Sequence, residues 1–191
     1  MNQTTCPQEY DFALVIDGVS DLTPEIEDAL FEAGCNDATF SIRYGHLFAE
    51  FSRTSMSVEE AIFSAIEDVR KTGIKVSVVC VDQCNLVTQS DIARRIKRSR
   101  QLVSQYISGE RGPGNFPPPE CHLGDNAPLW GWCDVSHWLA ENNIIRREES
   151  WNAEVVAGIN NVLEMARQIE RNPDLVRVIA ERMKSPCGNC P

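Results

Sequence analysis

Through the first 85 residues, runs dense in apolar residues alternate with rows spaced for one face of a helix. Phe12–Val19 (FALVIDGV) reads as a strand. Thr23–Cys35 (TPEIEDALFEAGC) reads as a helix, with Thr23 able to cap it, Pro24 suited to its first turn and Gly34 ending it. Thr39–Tyr44 and His46–Arg53 are two strands around Gly45, a hairpin pattern. Ser57–Thr72 then places Val58, Ala61, Ile62, Ala65, Ile66 and Val69 on one helical face, and Gly73 stops it. Lys75–Asp82 (KVSVVCVD) is the last strand of the series.

The predicted order is β-α-β-β-α-β, the split βαβ or ferredoxin-like arrangement. It hosts enzymes, ligand sensors, RNA readers and dimerisation modules, so it names no function by itself. An RNA-reading sheet needs aromatic residues on its central strands and a basic face. Phe40, Tyr44, Phe48 and Phe51 are present, but residues 1–85 carry 5 Lys/Arg against 15 Asp/Glu, which favours packing or dimerisation instead. Only Gln83, Cys84 and Asn85 separate the last strand from the next apolar residue. So short a connector predicts two domains docked together.

The following segment reads LVTQSDIARRIKRSRQLVSQYISGERGPGNFPPP. Thr88 is a good N-cap with Asp91 in the first turn, and the helix Gln89–Lys97 turns Ile92, Ala93 and Ile96 inward. After a break at Arg98-Ser99, Ser99 caps a second helix that runs to about Ser108 and ends at Gly109. Its apolar residues are Leu102, Val103, Tyr106 and Ile107; its other face carries Gln101, Ser104, Gln105 and Ser108, with Arg100 at the N-terminal end. Two short helices with a small residue near their crossing, the second of them polar outside, meet the helix-turn-helix requirement.

Charge sharpens that reading. The chain has a net charge of −10, yet residues 86–111 hold 6 Lys/Arg and 2 Asp/Glu. Physiological salt screens charge beyond about 8 Å, so a basic island inside an acidic chain acts locally on a phosphate backbone. Arg100, Gln101, Ser104 and Gln105 are the expected base readers, because Arg suits guanine, Gln suits adenine and Ser accepts or donates. Arg94, Arg95, Lys97, Arg98 and Ser99, with Arg111 beyond the helix, are the expected phosphate contacts, which set register.

Val87–Ile107, above all SDIARRI and SRQLVSQYI, resembles bacterial helix-turn-helix DNA-binding proteins of the winged excisionase/AlpA and MerR-like type. The likeness extends through Phe116–Pro119 (FPPP) and Leu129–Leu139 (LWGWCDVSHWL). It implies that the intervening loop is a wing, with Arg111 and the Gly112–Asn115 stretch against the DNA backbone, and that a Trp-containing strand leads into a core-closing helix. Lys97 stands where many members have glycine in the turn, a departure from the pattern, since the left-handed conformation costs a non-glycine residue roughly 1 kcal/mol. Trp130, Trp132 and Trp138 are expected in the core rather than stacked on bases.

From Glu148 onward, Trp151, Val155, Ile159, Val162, Ala166 and Ile169 make one narrow stripe. It packs on its own domain or serves as a dimer arm. Asn172-Pro173 then starts a shorter helix bearing Leu175, Ile179 and Met183. Cys187–Cys190 (CGNC) is a single CxxC with no second knuckle, and Cys121, His122, Cys133 and His137 form a better-spaced candidate set, of which Cys133 and His137 already belong to the segment that closes the wing, so no metal or other cofactor is expected. Cys35 and Cys80 read as small core residues.

No run of 18 apolar residues and no signal-peptide pattern occurs, which predicts a cytoplasmic protein with no membrane partner. His46, His122 and His137 belong to no triad, HExxH or P-loop pattern, so an enzyme is not expected. The chain reads as α+β: an unstructured start (1–9), a ferredoxin-like domain (10–83), a winged helix-turn-helix (86–145), C-terminal helices (148–184) and a cysteine-bearing tail (185–191). The expected partners are double-stranded DNA and a second copy in a homodimer, with a toxin or regulator as a further protein partner. The competing expectation is a protein-interaction or ligand-sensing adaptor whose function lies in the βαββαβ domain.

Overall fold

The longest strand pair sets the register of the whole sheet. β1 (Gln8–Asp17) and β3 (His46–Ser55) pair antiparallel from Gln8↔Ser55 to Ile16↔Leu47, which aligns Phe12, Leu14 and Ile16 with Phe51, Ala49 and Leu47 on one face. β2 (Ala38–Arg43) pairs with β3 through a turn in which Tyr44 and Gly45 both have positive φ, as a primed hairpin turn requires. β4 (Ser77–Val81) pairs with β1, giving the antiparallel order β2-β3-β1-β4. α1 (Pro24–Glu32) and α2 (Val58–Lys71) close this face: Leu30, Ile62, Ala65 and Val69 join Leu14, Ile16, Leu47 and Phe51 in one core. All six apolar residues expected on the α2 face are buried, and the Ser57 hydroxyl caps the helix by accepting from the Glu60 N–H. This computed structural model, a mixed α+β chain, describes residues 6–82, 84–124 and 127–184.

Beyond Asn85 a second core forms. β5 (Leu86–Val87) pairs with β6 (Trp130–Gly131), and α3 (Gln89–Arg95), α4 (Arg100–Ser108) and α5 (Trp132–Glu141) pack around Val87, Ile92, Val103, Trp130, Val135 and Leu139. Asn85 makes the short connector structural. Its carbonyl accepts from the Trp132 N–H at 2.6 Å and its side-chain oxygen from the Cys133 N–H at 3.1 Å. Those are orphan donors at the start of α5, where Gly131 offers no side-chain cap.

One helix walls both cores. α6 (Arg147–Arg171) places Ala153 in the second core and Val156 and Ile159 in the first. Asn160 on the same helix accepts from the Val81 N–H at 2.7 Å and donates to the Val81 carbonyl at 3.0 Å, satisfying Val81 at the end of the edge strand β4. α7 (Pro173–Lys184) follows, with the Asn172 side chain accepting from the Leu175 N–H. Among the described residues no helix is long and apolar enough to cross a membrane.

Several boundaries differ from expectation. β1 begins at Gln8, inside the expected unstructured start, because the ten residues of β3 offer it a full ladder. It stops at Asp17 rather than Val19: Gly18 has φ 99°, and a Cβ there would lie 2.4 Å from the Lys75 carbonyl oxygen. Thr23 holds the N-cap position of α1 without a side-chain cap bond, and α1 ends at Glu32. The C-terminal stripe divides: Ile159 is buried and Val155 partly so, while Trp151, Val162 and Ile169 are exposed, because the packed face of α6 is Ala153, Val156 and Ile159. The first five residues of the expected unstructured start, together with Cys187–Cys190, lie outside the described residues.

Arg53 locks the first core. It is 8% exposed and uses every guanidinium donor: Nε and Nη2 on Asp37, Nη1 on Asp68 and Ser64, and Nη2 on the Gly34 carbonyl, all at 2.7–3.0 Å. Cys35 lies against this network. Burial first, and then the Asp68 charge, push its thiol from an ordinary 9.0 up to about 11. A folded-state value above the unfolded one gives stability that is complete below about pH 9 and lost as pH rises through about 11. Urea unfolding should therefore show a smaller alkaline loss for Cys35→Ala than for the parent. Parallel pH profiles would remove Cys35 as the cause.

Candidate nucleic-acid interface

Caps fix the two helices that carry the expected DNA contacts. At α3 the Thr88 hydroxyl accepts from the Asp91 N–H at 3.1 Å, and the Asp91 carboxylate accepts from the Thr88 N–H at 3.0 Å, a closed capping box. The Thr88 hydroxyl and N–H hold the Asp91 carboxyl below its usual range. Ile92 and Ala93 are buried as expected, but α3 stops at Arg95. Ile96 caps it, Lys97 takes the left-handed conformation with φ 52°, and the Arg98 N–H returns to the Ala93 carbonyl at 2.9 Å. This is the Schellman pattern with lysine in the glycine position.

α4 starts where the Ser99 hydroxyl accepts from the Leu102 N–H at 3.2 Å, and it ends at Gly109 in the left-handed region. The Gln89 amide donates to the Arg100 carbonyl at 3.0 Å, tying the starts of the two helices together. Val103 is fully buried, with Tyr106 and Ile107 partly buried beside it. Arg100, Gln101, Ser104 and Ser108 are exposed and Gln105 is half-buried, so the four expected base readers share the outward side of one helix.

The loop after α4 is held by α5. Trp138 donates its indole N–H to the Gly114 carbonyl at 3.0 Å and packs edge-on against Phe116 and tilted against Tyr106. The Arg111 N–H donates to the Gln105 carbonyl at 3.1 Å, which keeps Arg111 next to the end of α4. Cys121 and Leu129 bridge antiparallel just before β6. Trp130, Trp132 and Trp138 are all buried.

The expected phosphate contacts divide. Among the described residues Lys97, Arg98, Arg100 and Arg111 are exposed and enter no ion pair. Arg94 is exposed but paired with Asp91. Arg95 is placed differently: its guanidinium lies 4.7 Å over the Trp132 ring and donates to the Cys84 carbonyl at 2.9 Å. Burial there lowers its pKa below the ordinary arginine value. Arg95 is a packing residue at the seam of α3 and α5.

Sequence reasoning missed two cations. A cavity of about 730 Å³ beside the α3–α4 turn is lined by Lys97, Asn143, Arg146 and Arg147, among others. Arg146 pairs with Glu148 and Glu149. Arg147 opens α6, where a positive charge is disfavoured by the helix dipole; that misplaced Arg-Arg pair was the available signal.

Among the described residues no group of three or more His, Cys, Asp or Glu side chains converges on a metal position. The Cys133 thiol donates to the Ala153 carbonyl, and His137 pairs with Glu141 on the next turn of α5, so these two candidates turn to separate partners. No protein-family model, curated protein or solved structure matches the chain.

Trp138→Phe removes the bond to Gly114, worth about 0.5–1.5 kcal/mol, and trims the buried ring that packs on Tyr106 and Phe116. Amide exchange over residues 110–116 should quicken while α4 keeps its protection. Unchanged exchange in that loop would mean that the indole bond does not hold it.

Proposed function

We propose that this chain is a sequence-specific DNA-binding protein, a transcriptional regulator of repressor or antitoxin-like autoregulatory type that inserts α4 into the major groove. The observation that carries this reading is the set of unpaired cations Lys97, Arg98, Arg100 and Arg111 around a polar, outward helix face in a chain of net charge −10. Among the described residues six of the eleven other arginines sit in ion pairs; these four cations stay open to a phosphate backbone and cluster around one helix. Arg100, Gln101, Ser104 and Gln105 read base edges. Lys97, Arg98 and Arg111, with the Ser99 turn and the positive N-terminal end of α4, hold phosphates. Arg94 contributes only by exchanging its bond to Asp91.

The finer fold reading follows the same line. The order β5-α3-α4-loop-β6-α5, with the loop pinned by Trp138, supports a winged helix-turn-helix of the excisionase/AlpA or MerR-like type. The βαββαβ order with strands arranged 2-3-1-4 supports a ferredoxin-like first domain. We read the whole as a cytoplasmic binding protein rather than an enzyme. A second reading, a ligand-sensing or protein-interaction adaptor, is favoured by an apolar groove of about 430 Å³ between α2 and α6, lined by Phe63, Ile66, Val155, Ile159 and Leu163 among others.

Selection from random double-stranded DNA separates the two readings. A bound consensus is expected, with affinity falling as salt rises by a log–log slope of about 0.9 per phosphate contacted. Recovery of no sequence, or binding indifferent to salt, would refute the DNA reading. Arg100→Ala or Gln105→Ala should cost about 1–3 kcal/mol and relax the preference at particular bases, whereas Arg98→Ala should weaken all sequences alike.

Lys97→Gly gives the most discriminating outcome. Relief of the left-handed strain should raise stability by about 1 kcal/mol while loss of the cation weakens DNA binding. Arg95→Ala should do the reverse of a surface substitution and lower the unfolding midpoint, because it uncovers Trp132. DNA binding that Lys97→Gly leaves unweakened would exclude Lys97 as a phosphate contact.

A further inference from the structure

α6 serves two environments. Its first half is walled into both cores, but from Asn160 to Met183 no residue is buried. Along that length Val162, Met165, Ile169, Leu175, Ile179 and Met183 are between 47% and 81% exposed. Together they leave on the order of 600 Å² of apolar surface in water, at the upper end for one patch on a monomer and near the ~800 Å² that each partner of a standard interface buries. Beyond Leu163, which still packs on the first core, the helices have no packed face, and such a stretch is marginal in water, since tertiary packing supplies most helical stability. The surface calls for a partner of similar length and apolarity.

We propose that the partner is the same arm, the distal half of α6 with α7, of a second copy of this chain. Charge decides between the occupants. Residues 162–183 hold 4 Lys/Arg and 4 Asp/Glu, a net of zero, whereas residues 1–85 hold a net of −10. Two copies meeting through their sheet domains bring like charges together; meeting through the arms, they do not. Arg167 pairs with Glu164 and Arg177 with Asp174 on the same helices, so these four flanking charges are already compensated. An anionic membrane would instead require a cationic polar face, which this arm lacks. The 3–4 spacing of a helical seam holds within each helix, at Val162, Met165 and Ile169 and again at Leu175, Ile179 and Met183, with a step of six residues across the non-helical Asn172.

The pairing does not rest on DNA binding, and sedimentation equilibrium of the full chain without DNA tests it. A dimer is expected at micromolar concentration. Ile169→Glu combined with Ile179→Glu should weaken it by about a hundredfold or more, because each glutamate would be buried unpaired. Ile169→Leu with Ile179→Leu should keep it. Both positions are exposed in the single chain, so tryptophan fluorescence and the urea midpoint of the cores should not move. Met183→Glu, farthest from either core, gives a second measurement and should also weaken association. A monomeric full chain at micromolar concentration, or a dimer that the glutamates leave intact, overturns the proposal.

Discussion

The two hydrogen bonds between the Asn160 side chain and the Val81 backbone set how the parts of this protein lie together. β4 is an edge strand with β1 on one side only, so its outer N–H and C=O groups need partners. A primary amide presents one acceptor and one donor at the spacing of a backbone unit, and so stands in for a strand residue. Apolar contact alone would let α6 slide along the sheet; the amide fixes its register. Ala153 lies seven residues earlier, two turns along the same helix, and is therefore delivered into the second core at a defined place. Asn85 does the corresponding task from the other side, since the residue that leaves the sheet domain caps α5. The two cores are tied together by these polar groups as well as by the apolar face of α6.

Arginine has opposite uses in the two halves. Arg53 is buried with its five donors matched by two carboxylates, a hydroxyl and a carbonyl, and it rigidifies the junction of β3, α2 and the loop before β2. An unpaired guanidinium at that place would be strongly destabilising, so the acids there are structural before they are anything else. In the second half Lys97, Arg98, Arg100 and Arg111 enter no ion pair among the described residues, although the chain has an excess of carboxylates. Cations at the surface of an acidic protein are readily neutralised by neighbours. Their remaining free along one helix and its flanks is the asymmetry from which the functional reading follows.

How much of this was legible depended on whether the deciding partner was near in sequence. α2 was read to its last buried residue because its spacing and its cap are local. The capping box at Thr88 and the end of α4 at Gly109 were legible for the same reason. β1 was read four residues short, because the alternation of Gln8–Asp11 is polar and only the ladder with β3 recruits it. Arg95 looked like a surface cation from its neighbours Arg94 and Lys97; the Trp132 ring that covers it comes 37 positions later. The stripe on α6 had a helical period but no address. Which part of a regular stripe meets the sheet is decided by Asn160, a polar residue that a search for apolar spacing passes over. The outward face of α4 could be read because helical geometry alone places Gln101, Ser104 and Gln105 together.

Lys97 bears hardest on the choice between a scaffold and a binding surface. A purely structural turn between α3 and α4 would be relaxed with glycine, which takes φ near 50° without strain. Lysine there costs roughly 1 kcal/mol, a sizeable part of the margin by which a small domain is stable. Its side chain returns nothing to the fold: it is exposed and enters no ion pair among the described residues. Strain without a packing gain is usual where a side chain serves a ligand. The adjoining residues point the same way. Arg98 and Arg100 follow it, Arg147 lines the same cavity, where Glu149 is paired with Arg146, and Ser99 begins a helix whose first turn holds no acidic residue. An anion approaching this turn meets several positive groups and no carboxylate in that first turn, a concentration of charge that stability alone would select against.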